Sequence, residues 1–368
     1  MILTFPSSLC KLYKWLCTRV QWRYSLATTI KDIAKRTGVS HSTVSRALSG
    51  NSLISAETAG RIRLAAHEMG YQASAAARSL KTNRTNVIGV ILNSMDDPFF
   101  SEIVYGIEEC AQEAGYSLFI AASQHDPIRE KKIVQAMMEH RTDGVIICSS
   151  SFSAEQGRQL LKHEFPIVVI NHQAAENFHY SIFHDDIDGS RQITRHLIDL
   201  GHTRIAYLGN SLSGRTVLDR VNGFKMELQA FGLPIQEDYI HHEAGGTPQN
   251  GYNSVEYFLK LHDIPTAIVC FNDMMAIGVL NGLQAAGVKV PDELSVTGFD
   301  NITLSAYTTP SLTTFDQPKR SIGVEASQLL LDLLRSHHNG NTFQPKEKIL
   351  KGNLLIRQST TNPNLVKI

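Results

Sequence analysis

Thr29-Ile30-Lys31-Asp32-Ile33-Ala34-Lys35-Arg36-Thr37-Gly38-Val39-Ser40-His41-Ser42-Thr43-Val44-Ser45-Arg46-Ala47-Leu48-Ser49-Gly50 is the stretch on which the reading of this chain turns. Ile30, Ile33 and Ala34 share one face of a helix. Gly38 then supplies the positive-φ freedom a tight turn needs. Ser40 is placed to cap a second helix through its hydroxyl. On that helix Val44, Ala47 and Leu48 turn inward, leaving His41, Ser42, Ser45 and Arg46 outside. A third helix is expected from a Ser55 cap through 56–69, with Ile62, Leu64, Ala65 and Met69 closing a three-helix core. Two short helices joined by a glycine turn form a helix-turn-helix, whose second helix enters the major groove of DNA.

The outward residues suit that partner. Arg46 can fork onto guanine, and His41 and Ser42 can donate or accept at base edges. Ser40 and Thr43 are of the type that fixes register on phosphate; Thr29, Ser45 and Asn51 complete the candidate DNA-binding set. A small helical bundle with no DNA role is the plainer reading of the spacing alone. Charge separates the two. Residues 29–86 hold nine Lys/Arg against three Asp/Glu, and residues 1–28 hold four bases and no acid. The chain is formally neutral, so the remainder carries a net charge of −10. A basic head on an acidic body points to a head that meets nucleic acid and a body that does not.

At 368 residues and 42% hydrophobic content there is room for several domains with filled cores. The five cysteines (10, 17, 110, 148 and 270) show no short paired spacing. Neither a zinc site nor a disulfide framework is expected, which fits a reducing cytoplasm. No apolar run is long enough to span a membrane. In residues 1–28 the bases interrupt the apolar residues, unlike a signal peptide. An amphipathic membrane helix is one account of this leader. The preferred account is a translated start upstream of the natural one near Leu26 or Ala27, with the leader disordered or loosely docked.

Residues 72–81 are alanine-rich and too short to hold a helix alone in water. They read either as a plain linker or as a hinge that becomes helical on DNA, with Leu80 able to wedge into the minor groove. From 86 onward apolar runs alternate with helical stretches. Strands are expected at 87–92, 116–122, 144–148 and 167–170, with helices at 99–114, 128–140 and 154–163 between and after them. A second series follows, with strands at 204–208, 239–242, 267–271 and 294–299 and helices at 187–200, 217–231, 247–260 and 275–286. Such alternation implies parallel sheets covered by helices, here in two doubly wound lobes. In such sheets ligands sit beyond the carboxyl ends of strands.

The order of these signals resembles the lactose-repressor (LacI/GalR) family of bacterial transcription regulators, over about 29–360. The resemblance is carried by Ile33-Ala34, Gly38-Val39-Ser40, Thr43-Val44-Ser45-Arg46 and Arg78-Ser79-Leu80. The body adds Gly201-His202-Thr203-Arg204, Asp219-Arg220, Asn272-Asp273, Gly298-Phe299-Asp300 and Gln317-Pro318. It implies a head at 29–71, a hinge at 72–85 and an effector-binding body at 86–360 similar to periplasmic sugar-binding proteins, with a tail at 361–368. The first lobe is expected at 86–183 plus 318–345 and the second at 184–317 plus 346–360. It also implies a homodimer on a nearly palindromic double-stranded operator, and a small effector in the cleft, a sugar or sugar derivative. No cofactor, metal or catalytic residue is implied.

Carried over by position, Arg220 and Asp300 resemble a pair that grips effector hydroxyls, and Phe99, Cys148, Asn171, Asn272 and Gln317 resemble further lining positions. Asp273 reads as structural, capping the helix that follows. The sequence departs from the family at Gly246, where relatives often carry a stacking aromatic, and at Ala73-Ser74, where they often show Pro-Asn. The C-terminus lacks leucine heptads, which favours a dimer over a coiled-coil tetramer. Two other readings stand beside this one. The acids at 96–97 and 185–188 could serve an enzyme, but Asp188 suits the positive end of the next helix, and the glycines at 209 and 214 form no phosphate loop. A transport solute-binding protein would need a secretory signal and no basic helix-turn-helix.

Overall fold

The structure is a computed structural model that describes residues 28–71, 84–148, 165–170, 180–339 and 346–364. Leader residues 1–27, hinge residues 72–83 with Leu80, the expected helix at 154–163 and Asn171 lie outside these residues. The chain divides into two compact units, 1–83 and 84–368.

The first unit holds three helices: α1 (Ile30–Thr37), α2 (His41–Leu48) and α3 (Ala56–Glu68). Each begins on a hydroxyl cap. Thr29 and Asp32 form a reciprocal capping box, Ser40 Oγ accepts from Thr43 N, and Ser55 Oγ accepts from Thr58 N. Gly38 ends α1 in the left-handed region at φ 69°. Ile33, Val44, Ala47 and Ile62 are almost wholly buried and form the core, with Ala59, Ala65 and Ala66 around them. Leu64, expected in that core, is 61% exposed. It lies two residues from Ile62, about 200° around the helix, so it cannot share the inward face.

The second unit contains two six-stranded sheets. The first runs β11-β5-β4-β3-β1-β2 and the second β12-β10-β9-β8-β6-β7. In the first, β1 (Val87–Leu92), β2 (Ser117–Ala122), β3 (Gly144–Cys148), β4 (Ile167–Ile170), β5 (Tyr180–His184) and β11 (Lys346–Leu350) are all parallel. In the second, β6 (Ile205–Asn210), β7 (Ile240–Glu243), β8 (Ala267–Cys270), β9 (Ser295–Asp300) and β10 (Thr313–Asp316) are parallel, and β12 (Asn353–Leu355) is antiparallel to β10. The helices are α4 (Pro98–Glu113), α5 (Pro127–Glu139), α6 (Asp186–Asp199), α7 (Gly214–Ala230), α8 (Pro248–Leu259), α9 (Asp273–Ala285) and α10 (Lys319–His338).

One expected boundary is corrected. Residues 346–350 pair with β5 in the first sheet, so the chain re-enters the second lobe after β11 and not at 346. In β7 His241 is half-buried and stacks on Tyr257 at 4.2 Å, while His242 is exposed.

The apolar runs become buried strands: every residue of β3, β4, β6, β8 and β9 is buried. In the first lobe α4 and α10 pack on this sheet as a close pair. They approach at glycines, since a Cβ at Gly106 would collide with the Arg320 carbonyl and one at Gly323 with the Ile103 carbonyl. Arg320 then pairs with Glu109 at 2.7 Å. Gly106→Ala should therefore force the helices apart and cost about 1–3 kcal/mol. Denaturant unfolding checks this; a wild-type midpoint would contradict the packing described.

Candidate functional site

Two sites stand out, one in each unit. In the head, the Ser40 cap gathers hydroxyls at the start of α2: its Oγ lies 2.8 Å from Ser42 Oγ and 2.8 Å from Thr43 Oγ1. His41, Ser42 and Arg46 are exposed, while Thr43 and Ser45 are half-buried at the margin of the core. Val44 and Ala47 anchor the opposite face, so α2 is held with its polar face outward. Thr29 and Asn51 are exposed, but each has local work. Thr29 Oγ1 donates to Asp32 Oδ2 at 2.6 Å, and Asn51 Oδ1 accepts from Leu53 N at 2.9 Å.

In the body, a cavity of about 410 Å³ is lined from both lobes, within the usual range of small-molecule sites. It lies where parallel strands end: Cys148 closes β3, Ile170 β4, Asn210 β6 and Asp300 β9, and Asn93 follows β1. Phe99, Cys148, Arg220, Asn272 and Asp300 all line it. Phe99 meets Phe100 edge to face, with centroids 5.2 Å apart. Asp97, which the sequence offered only as an acid for an enzyme and not as an effector contact, caps α4 by accepting from Phe99 N at 3.0 Å and also lines the cavity.

Arg220 sits at the centre and is 3% exposed. Its Nε donates to Asp186 Oδ1 at 2.6 Å, one terminal nitrogen donates to the Phe271 carbonyl, and the other lies 3.6 Å from Asp300 Oδ1. The guanidinium carbon stands 3.7 Å from the Phe299 ring centroid and 4.5 Å from that of Phe271. Rings and carboxylates together fix the fork's plane. Asp186 also lies 3.2 Å from Nε2 of His184. Burial pushes the His184 imidazole down to about 4 against the pull of Asp186, so it is neutral beside the pair at pH 7. Burial pushes the Asp300 carboxyl well above its ordinary range, with Arg220 pulling it back down. Burial also raises the Asp97 carboxyl.

Three expectations need adjusting. Gln317 is 1% exposed and does not line the cavity; its Nε2 donates to Asp300 Oδ1 at 2.5 Å, so it stands behind the carboxylate. Asn272, not Asp273, caps α9: its Oδ1 accepts from Met275 N at 2.9 Å, and its Nδ2 donates to the Gly246 carbonyl at 3.1 Å. Asp273 is fully buried, accepting from Thr314 Oγ1 at 2.5 Å and from Ile302 N at 2.8 Å. Gly246 lines the cavity, and a Cβ there would press on the Asn210 and Asn272 amides at 3.0 Å each. A bulky side chain at 246 thus conflicts with this arrangement. The partners of Arg220, Asp186 and Phe271, carried no signal in local spacing.

Comparison with known proteins places both units in one family. Residues 29–74 match the model of bacterial regulatory proteins of the lacI family, and residues 85–354 that of periplasmic binding proteins and the sugar-binding domain of the LacI family. The HTH-type transcriptional repressor PurR of Aliivibrio salmonicida is 35% identical over 324 residues, covering 88% of this chain and 97% of that protein. PurR of Actinobacillus pleuropneumoniae is 32% identical over 336 residues, covering 91% and 99%. Among solved structures, the Lac repressor dimer bound to operator and the anti-inducer ONPF superposes with a TM-score of 0.80 at 26% identity, covering 91% and 99%. A LacI family regulator from Enterococcus faecium with bound ribose gives 0.66 at 28% identity, covering 75% and 99%. The chain belongs to the LacI family of bacterial regulatory proteins: it is a helix-turn-helix transcriptional repressor with an effector-binding body, and not an enzyme.

Proposed function

We propose that this repressor acts in the cytoplasm as a homodimer on a nearly palindromic operator, and that a sugar or sugar derivative in the cleft sets its affinity for DNA. The observation that carries the effector class is the joint placement of Arg220 and Asp300 in one cavity, 3.6 Å apart. A guanidinium fork beside a carboxylate can bracket neighbouring hydroxyls, donating to one and accepting from the next. Asn210 and Asn272 add short polar groups on the same lobe, and Gly246 leaves no stacking ring over that wall. Likeness to a regulator with bound ribose, and to the CelR–cellobiose complex at a TM-score of 0.68 and 25% identity, supports the same class.

In the head, His41, Ser42 and Arg46 take base edges, and Thr29, Ser40, Thr43, Ser45 and Asn51 take phosphate or hold the readers in register. Among the described residues, no helix is long and apolar enough to cross a membrane. Effector control follows if the effector binds one arrangement of the lobes better than the other; the ratio of those affinities sets how far operator occupancy moves. Thermal-shift screening of residues 84–368 against a panel of sugars and nucleosides tests the class. A true ligand at 100 times its Kd adds about 2.7 kcal/mol of apparent stability. A shift with one or more sugars is expected; a shift confined to nucleosides would overturn the sugar assignment.

A further inference from the structure

Strand β9 ends in an unusual conformation. Asp300 has φ 114° and Asn301 follows with φ 51°. Two consecutive residues with side chains stand in a region that sterics leave largely to glycine. Such geometry persists only where its surroundings over-determine it.

Those surroundings come from both lobes. Lys319, the first residue of α10, is 2% exposed. Its ammonium donates to the carbonyls of Asp300 at 2.5 Å and Asn301 at 3.1 Å. Asn301 Nδ2 donates to Asp316 Oδ1 at 2.9 Å. The next residue, Ile302, is 1% exposed and packs in the core of the first lobe, among the side chains of α4, α10 and β1. Three successive residues thus face the cleft, the ammonium and the other lobe's core.

A lysine in the first turn of a helix opposes the helix dipole, and a buried ammonium is costly unless paired. Here the carbonyls supply acceptors, while Asp316 at 3.6 Å and Glu102 at 3.7 Å supply charge. Glu102 lies on α4, the helix that packs against α10 at Gly106 and Gly323. The ammonium therefore touches the end of a second-lobe strand and both members of a first-lobe helix pair.

We propose that Lys319 is a positioning residue that holds Asp300 in its cleft-facing conformation and makes the end of β9 move with α4 and α10. What binds at Asp300 is thereby felt in the first lobe. The inference rests on the reading that the cleft takes an effector at Asp300, and the test is run without any effector so that the two fail separately.

Hydrogen–deuterium exchange on the full chain compares the wild type with Lys319→Met, which keeps the apolar stem and removes the ammonium. Amides in 299–303 should exchange at least tenfold faster, with those at 98–106 following, while α8 and the helix-turn-helix head keep wild-type rates. Unchanged exchange at 299–303, or a uniform rise across the chain, would overturn the proposal. If Lys319→Met fails to fold, Glu102→Gln carries the test, because that side chain is 43% exposed. Faster exchange at 299–303 after removing a charge on the opposite lobe supports the coupling; wild-type rates there overturn it.

Discussion

Arg220→Ala is expected to cost the body about 3–5 kcal/mol of stability and to abolish its response to a cleft-bound effector. The stability loss follows from what the truncation leaves behind. Asp186 would keep a buried carboxylate without the guanidinium that meets it at 2.6 Å, and the Phe271 carbonyl would lose its donor. The faces of Phe299 and Phe271 would border a void. Loss of response follows because the only guanidinium lining the cavity, among the described residues, would be gone. A second variant separates the effects. Replacing the pair together, Asp186→Asn with Arg220→Met, removes the orphaned charge, so most of the melting temperature should return while effector binding does not. Melting curves and effector titrations on both variants decide the matter. A single Arg220→Ala variant with wild-type stability would contradict the buried pair.

Arg46→Ala should leave the head folded and remove its choice of sequence. The side chain is exposed on α2, opposite the Val44 and Ala47 that form the core, so no packing is lost. A bidentate contact to guanine is worth about 1–3 kcal/mol of discrimination, so preference at one base pair in each half-site should flatten by that amount. A residue that only touched phosphate would weaken all sequences alike and reduce the salt dependence of binding. Selection from random duplex DNA, followed by titration of single-base variants, distinguishes these outcomes. An unchanged base preference would remove Arg46 from the reading set.

The head was legible because its signals are local. Ser40 and Ser55 are caps, Gly38 is a stop, and Val44 with Ala47 sets the inward face, each within one turn of the element it defines. Leu64 is apolar, but its angle around α3 and not its composition sets which face it takes. In the body, β1, β3, β4, β6, β8 and β9 showed themselves as apolar runs. Strand β10 did not, because Thr313, Thr314 and Asp316 are polar and the burial of the two threonines depends on Ser359 and Asp273, far along the chain. Strand β11 joins the first sheet beside β5, and nothing in 346–350 records which sheet edge it will join.

The cleft was legible to the same depth. Arg220 and Asp300 could be paired through resemblance, and both line the cavity. The layer behind them could not be read. Asp186 is thirty-four positions from Arg220, Gln317 turns its amide to Asp300 and away from the cavity, and the neighbours Asn272 and Asp273 exchange the expected capping role. Both residue types cap helices, and only the tertiary surroundings, with Thr314 and Ile302 bonded to Asp273, decide which is free to do so.

The most direct test of a body that governs a DNA-reading head is operator affinity measured with and without a cleft ligand. The DNA is the sequence enriched from a random pool by the full chain, and the ligand is the sugar that most raises the melting temperature of residues 84–368. A change in operator Kd of roughly 5-fold to 150-fold is expected in the wild type, and none in Arg220→Ala. Equal operator affinity in the presence and absence of that sugar, with the cleft shown to be saturated, would contradict the account.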